Sequence, residues 1–201
     1  MKRLFVLLLI AASSIAAKVA GPGYKVGDIA TDFKLKNVDG KTVSLTDYPA
    51  AKGYIVIFTC NHCPYARAYE SRIMALDKMY ASKGYPVIAI SPNDPAAIPE
   101  DSPENMKKRA TEKKYSFPYL FDDTGLTTRT YGAKATPHVY VLKKTAKGNV
   151  VQYIGAIDDD TEGTNIKNKY VENAVNALLS GKNPTITSTK AIGCSIKLKA
   201  I

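Results

Sequence analysis

The sequence predicts an α/β fold with a central mixed β-sheet flanked by helices. Short apolar segments with strand character alternate with amphipathic segments of helical period. The segment Tyr54–Thr59 is almost uninterruptedly apolar, as is typical of a strand covered on both faces. Hydrophobic residues make up 45% of the 201 residues, which is enough for one well-formed core, and no internal repeat is visible.

The strands and helices can be placed in order along the chain. Residues 17–30 are expected to form an N-terminal arm, and residues 31–182 the folded domain. The predicted elements are a β-hairpin of Phe33–Asn37 and Thr42–Leu45, a strand at Tyr54–Thr59, a helix from Cys63 to about Ser82, a strand at Pro86–Ser91, a helix from Pro103 to about Lys114, a strand at Tyr119–Phe121, a helix ending at Tyr131, strands at Pro137–Leu142 and Val150–Ile157, and a helix of about Ile166–Leu179.

The first residues are typical of a secretory signal peptide. Met1–Arg3 is basic, Leu4–Ala12 is apolar but too short to span a bilayer, and Ser14–Ala16 fits a cleavage site of small residues. We interpret residues 1–16 as the signal peptide, and an uncleaved N-terminal anchor is the alternative. The mature protein is expected in the periplasm or cell envelope, or secreted, without a stable membrane span.

The chain is basic throughout. Its formal net charge is +10, and removal of residues 1–16 takes away Lys2 and Arg3 but no acidic residue, leaving +8. Lysines are scattered from Lys25 to Lys199 without an arginine-rich run or an alternation with aromatic residues. This pattern argues against nucleic-acid binding and fits a surface that meets acidic partners or a cell envelope.

A pair of cysteines lies between the central strand and the helix that follows. In Cys60-Asn61-His62-Cys63, Cys60 is predicted at the helix N-terminus, where unpaired backbone N–H groups and the helix dipole stabilise a thiolate. Cys63 is predicted one turn further in, at a distance that allows a disulfide. A purely structural disulfide is the alternative, but at this spacing it closes almost no loop and adds little stability. The pair therefore predicts redox chemistry.

Several motifs together resemble the redoxin branch of the thioredoxin superfamily, the peroxiredoxin-like thioredoxin-fold proteins. They are Asp32–Leu35, Asp39–Leu45, Cys60–Tyr65, Ala135–Pro137 and Gly193–Lys197. The resemblance covers nearly everything after residue 24 and implies a thioredoxin-like fold that opens with a β-hairpin. The 77 residues from the first cysteine to the proline exceed what a minimal thioredoxin needs, so an inserted unit is expected between them.

The resemblance also implies roles for individual residues. Cys60 is the attacking thiolate, exposed and with a lowered pKa, and Cys63 is the resolving thiol. Thr136-Pro137 is expected to be a cis peptide bond that docks the partner's backbone, with an ordinary trans bond as the alternative. His62, between the two sulfurs, stabilises the thiolate if it is charged, or is a solvated turn residue. Such proteins need no cofactor.

Three further features have two interpretations each, and a fourth, His138, has one. Cys194, in the predicted C-terminal tail of residues 183–201, is either a second resolving thiol that reaches Cys60 or a bystander. Glu70 is either a proton relay to Cys63 or a solvated helix residue. His138 is expected to converge on the cysteine pair. The acidic stretch Asp158–Glu162 is either a calcium site or a solvated turn, and it lacks the EF-hand pattern.

We therefore predict an exported thiol–disulfide oxidoreductase. Its expected partners are a disulfide-bearing protein or small thiol and a second dithiol protein that donates or accepts electrons. One alternative is a thiol peroxidase, although Ile57 and Gly53 stand where the peroxiredoxin motif P-x-x-x-T-x-x-C requires threonine and proline before Cys60. The other is a carrier that binds copper or zinc through Cys60, Cys63 and a histidine.

Overall fold

The computed structural model describes residues 23–200. The predicted signal peptide and the first part of the predicted arm lie outside this range. Within it, no helix is both long enough and apolar enough to cross a membrane.

The chain forms an eight-stranded mixed sheet with helices on both faces, and a separate two-stranded sheet. The large sheet contains β1 (Ile29–Ala30), β2 (Leu35–Asn37), β3 (Thr42–Val43), β4 (Gly53–Phe58), β5 (Val87–Ser91), β6 (Tyr119–Phe121), β8 (His138–Thr145) and β9 (Gly148–Gly155), and the small sheet contains β7 (Ala135–Thr136) and β10 (Cys194–Ser195). The helices are α1 (Pro64–Tyr80), α2 (Pro103–Lys113), α3 (Leu126–Tyr131) and α4 (Tyr170–Leu179).

The strand order in the large sheet is β1-β9-β8-β4-β5-β6-β2-β3. Only β4, β5 and β6 run parallel to one another, and the other neighbours are antiparallel. The predicted α/β class, mixed sheet and opening hairpin are confirmed. Ile29–Ala30, which the sequence placed in the N-terminal arm, pairs with β9.

The buried residues of the sheet divide between its two faces. Alternate residues of β4 point to opposite sides, as the strand period of two requires. Ile55 and Ile57 pack with helices α1, α2 and α4, whereas Val56 and Phe58 pack with α3 and the N-terminal segments. Both faces of the strand are therefore covered, which explains its continuous apolar run.

The register between β4 and β8 determines which residues meet at the end of the sheet. The two strands are antiparallel, and Phe58 at the end of β4 pairs with His138 at the start of β8. The residues that follow β4 and those that precede β8 must therefore lie side by side. Cys60 and Thr136 are brought together in this way although 76 positions separate them.

The acidic stretch Asp158–Glu162 is an ordered part of the fold. Asp158 is 3% exposed and accepts hydrogen bonds from Arg72 Nη1 at 2.8 Å and from the Tyr69 hydroxyl at 3.0 Å. The Arg72 guanidinium also donates to the backbone oxygens of Asp160 and Thr161. Asp158 is thus the buried ion-pair partner of Arg72 on α1, whereas Asp159 and Glu162 are exposed in a turn, as the solvated-turn interpretation predicts.

We predict that Arg72→Met lowers the free energy of unfolding by about 3 kcal/mol, because it leaves the Asp158 carboxylate buried without its cation. Urea denaturation measures this change. Arg67→Met on the exposed side of the same helix is the matched control, and we expect a change within about 0.5 kcal/mol. Equal effects of the two substitutions would contradict the assignment.

Candidate active site

The loop of residues 60–63, here called the dithiol loop, is positioned by the start of α1. The helix begins at Pro64, whose ring suits a first turn and whose missing N–H needs no partner there. Cys63 is the N-cap residue with an extended backbone, φ −68° and ψ 123°. The prediction that Cys63 lies one turn inside the helix is therefore wrong: Cys63 caps the helix, and Cys60 lies in the loop ahead of it.

Three sulfur atoms converge on Thr136. Cys63 forms a disulfide with Cys194, with their Cα atoms 5.9 Å apart, while Cys60 is a free thiol. Cys60 Sγ lies 3.1 Å from Thr136 Oγ1, and Cys63 Sγ lies 3.2 Å from the Thr136 carbonyl oxygen. Cys194 pairs with Thr136 across the small sheet. The Thr136-Pro137 peptide bond is cis, as predicted.

Cys60 differs from the predicted exposed thiolate. Its side chain is buried, with a relative exposure of 5%. Burial raises the pKa of the Cys60 thiol to about 11, and the Asp101 carboxylate adds to this effect, while the Thr136 hydroxyl and the backbone N–H groups of Cys63 and His62 oppose it. In this disulfide form the thiol is therefore protonated at neutral pH, and the expectation of a lowered pKa is wrong.

Asp101 holds the loop between the two cysteines. Its carboxylate is fully buried and accepts backbone N–H groups of Asn61 and His62 on Oδ1, at 2.7 and 3.1 Å. On Oδ2 it pairs with His62 Nδ1 at 2.7 Å and accepts the Asn93 side-chain amide at 2.7 Å. One carboxylate thus fixes two peptide groups and the imidazole beside Cys60.

Sequence reasoning missed this role of Asp101. It placed the start of the next helix at Pro103, and that helix does begin there, with Ser102 as its N-cap. Asp101 itself turns back to the dithiol loop. In the sequence, Asp101 stands out only because it lies in an acidic, proline-rich loop of the inserted unit. No spacing rule connects that position to Cys60.

The same residues form the candidate metal group among residues 23–200. Ligand atoms of Cys60, His62 and Asp101 lie within 4.8 Å of one another. The set differs from the predicted carrier site, because Cys63 is in a disulfide. Both Asp101 oxygens already accept two hydrogen bonds each, so a cation would have to displace existing contacts.

Glu70 is part of an ion-pair network. Its carboxylate accepts Arg109 Nε at 2.7 Å and Nη2 at 3.0 Å, as well as the Tyr115 hydroxyl at 2.5 Å. Lys113 Nζ lies 3.6 Å away. Glu70 is therefore neither solvated nor free to relay protons. Together with Cys60 it lines a cavity of about 10 Å³, the size of about one water molecule.

The second histidine, His138, contacts Tyr140 and the backbone of Lys134. The His138 ring packs against Tyr140, with centroids 5.0 Å apart, and Nδ1 accepts the backbone N–H of Lys134. Burial, aided by the Lys134 charge, lowers the pKa of His138 to about 4. Neither of these two contacts involves a cysteine, so the convergence of His138 on the cysteine pair stays a prediction.

With this geometry established, the chain can be compared with known proteins. The model of the AhpC/TSA family matches residues 26–153, and the chain belongs to this family. It is 25% identical to the thiol-disulfide oxidoreductase ResA of Geobacillus thermodenitrificans, over 61% of this chain and 66% of that protein, just under two thirds of its length. It is 30% identical to the chloroplastic peroxiredoxin Q of Triticum aestivum, over 64% of this chain and 57% of that protein.

Two solved structures share the fold. An uncharacterized conserved protein from Geobacillus kaustophilus aligns with a TM-score of 0.81 and 37% identity, covering 88% of this chain and 94% of that chain. A protein from Chlorobium tepidum that is described as a thiol:disulfide interchange protein DsbE aligns with a TM-score of 0.52 and 24% identity. The alignment covers 65% of this chain and 84% of that chain. The predicted thioredoxin-like fold is confirmed.

We predict that alkylation of Cys60 in the Cys63–Cys194 disulfide form has a midpoint near pH 11. At pH 7 only a very small fraction of the molecules therefore carries the reactive thiolate. Asp101→Asn removes a buried negative charge beside the sulfur, and we expect the midpoint to fall by about one pH unit. Iodoacetamide labelling followed by mass spectrometry measures it across pH.

Glu100→Gln is the control for that experiment. It removes the same charge from the adjacent, exposed residue, and we expect the midpoint to stay where it is in the unaltered chain. A midpoint that is unchanged or higher in Asp101→Asn would contradict the assigned effect of the carboxylate.

Proposed function

We propose that this protein is an exported thiol–disulfide oxidoreductase in which three cysteines carry electrons. The observation that supports the proposal best is the convergence of Cys60, Cys63 and Cys194 on Thr136. The similarity to ResA proteins, described as thiol-disulfide oxidoreductases, supports the same activity. The substrates are disulfide-bearing proteins or small disulfides, and no cofactor takes part.

The proposed reaction begins with all three cysteines reduced. The Cys60 thiolate attacks one sulfur of the substrate disulfide, which releases the other substrate sulfur as a thiol and leaves a mixed disulfide. Cys63 then attacks the Cys60 sulfur, releases the second substrate thiol and forms the Cys60–Cys63 disulfide. The substrate has gained two electrons and two protons.

A third exchange returns Cys60 to the thiol form. The Cys194 thiolate attacks the Cys63 sulfur, expels Cys60 and forms the Cys63–Cys194 disulfide, the pairing present in the structure. No electrons are gained or lost in this exchange. A second dithiol protein then reduces Cys63–Cys194 and completes the cycle, and run in reverse the same steps oxidise a partner.

Three neighbours support these roles. Thr136, next to the cis proline, places its hydroxyl 3.1 Å from Cys60 Sγ, where it can donate to a thiolate. His62 is held by Asp101 and has 23% of its side chain exposed, so a charged ring would stand beside the reacting sulfurs at the surface. Pro137 keeps the backbone of Thr136 turned toward the partner.

The place of action is proposed from the N-terminal sequence. Residues 1–16 have the pattern of a signal peptide, and a dithiol protein that acts outside the cytoplasm meets the disulfide-bearing partners found there. The basic charge of the chain suits a cell envelope.

Peroxide reduction is the second candidate function. It is favoured by the match to peroxiredoxin Q and by the free Cys60 thiol, whose sulfur contacts a threonine hydroxyl. Against it, the positions of the peroxiredoxin motif hold the core residue Ile57 and the strand residue Gly53. We expect peroxide consumption to be slow beside disulfide reduction.

We predict that the reduced protein reduces insulin disulfides with dithiothreitol as electron source, and that Cys60→Ser abolishes this activity. Cys194→Ser retains it, because Cys60 and Cys63 still carry one pair of electrons. Cys63→Ser accumulates mixed disulfides at Cys60, because no thiol resolves them efficiently. Turbidity of reduced insulin and non-reducing gels measure these outcomes.

The same three variants are compared in a peroxide-consumption assay. Full insulin reduction by Cys60→Ser would contradict the assigned attacking role. Peroxide turnover that matches or exceeds disulfide turnover would favour the peroxidase instead.

A further inference from the structure

Strand β10 occupies the edge of β7 beside the sulfurs. Cys194 pairs with Thr136, and Ser195 pairs with Ala135, in antiparallel register. The backbone edge that precedes Pro137 is therefore already filled by the C-terminal segment of the same chain.

The residue before Cys194 has no room for a side chain. A Cβ atom added to Gly193 would lie 2.1 Å from the carbonyl oxygen of Thr136 and 3.1 Å from the nitrogen of Pro137. Both are backbone atoms, which cannot rotate away as a side chain can. Gly193 is not among the glycines with positive φ, so space rather than backbone conformation excludes a side chain here.

The residues directly after Cys194 are held mainly through backbone atoms. The Lys197 N–H donates to Asn93 Oδ1 at 2.8 Å, and the Lys197 carbonyl accepts the N–H of Asp94 at 2.7 Å. The side chain of Ser195 is exposed. Backbone contacts of this kind fit many extended chains, so the edge selects chiefly the position of the cysteine and the size of the residue before it.

We propose that the edge of β7 docks an extended segment of a partner protein whose disulfide-bonded cysteine directly follows glycine. Residues 193–196 are the resident occupant of this edge. The inference rests on the proposed function and specifies its substrate class. Strand addition obtains affinity from main-chain hydrogen bonds and specificity from the space allowed to each side chain. Because one edge pairs with one strand, occupant and partner exclude each other.

Reduction of the Cys63–Cys194 disulfide opens the edge. A dithiol reductant supplies two electrons and two protons, which convert the disulfide to two thiols, and the reductant becomes a disulfide. The C-terminal segment is then held only by noncovalent contacts. A partner strand replaces it with its own cysteine opposite Thr136, within reach of Cys60.

The test uses the full chain carrying Cys194→Ser, reduced by dithiothreitol and freed of it. Two synthetic peptides are offered as symmetrical disulfides: one repeats residues 190–197, Lys-Ala-Ile-Gly-Cys-Ser-Ile-Lys, and the other has alanine in place of glycine. We expect the glycine peptide to be reduced about tenfold faster, since the added Cβ meets backbone atoms. Competition from the chain's own segment is the same for both peptides and cancels.

A second measurement uses the unaltered cysteines. Gly193→Ala should slow formation of the Cys63–Cys194 disulfide in oxidised glutathione by about tenfold, for the same steric reason. Ser195→Ala, an exposed position in the same strand, is the matched control and should close at the original rate.

The outcomes separate this inference from the proposed function. Equal rates for the two peptides, or reduction of insulin but of neither peptide, would overturn the docking inference and leave the proposed function standing. Failure to reduce both insulin and the peptides would overturn the proposed function itself.

Discussion

The site depends on the antiparallel register of the two central strands. Because Phe58 pairs with His138, the loop that leaves β4 and the turn that enters β8 meet at one end of the sheet. The dithiol loop is on one side of this meeting point, and the cis proline turn is on the other. The buried residues on both faces of β4 hold the register, since a slip of one position would move every side chain to the opposite face.

Two parts of the chain outside the minimal fold complete the site. The inserted unit contributes Asp101, which fixes the dithiol loop, and Asn93, which contacts both Asp101 and the backbone of Lys197. The C-terminal segment contributes Cys194. The environment of Cys60 is therefore joined by hydrogen bonds to the segment that covers it. Its burial and raised pKa belong to the form in which that segment is disulfide-bonded.

Much of the fold could be predicted from local pattern. The apolar strand, the cysteine pair and the helical period after it specify a strand, loop and helix in order, and the hairpin of Phe33–Asn37 and Thr42–Leu45 was predicted from its two short strand segments. The Cys63–Cys194 pairing was not predictable, because 131 positions separate the two residues and three cysteines allow several pairings. The burial of Cys60 and the position of Asp101 depend on how distant loops pack, which no spacing within the motif encodes.

The order of electron transfer is the central claim, and the final disulfide after one turnover tests it most directly. Fully reduced protein is mixed with one equivalent of a peptide disulfide, quenched in acid, alkylated and mapped by mass spectrometry. We predict that Cys63–Cys194 is the product and that Cys60 carries the alkyl group. A stable Cys60–Cys63 or Cys60–Cys194 product would contradict the proposed relay.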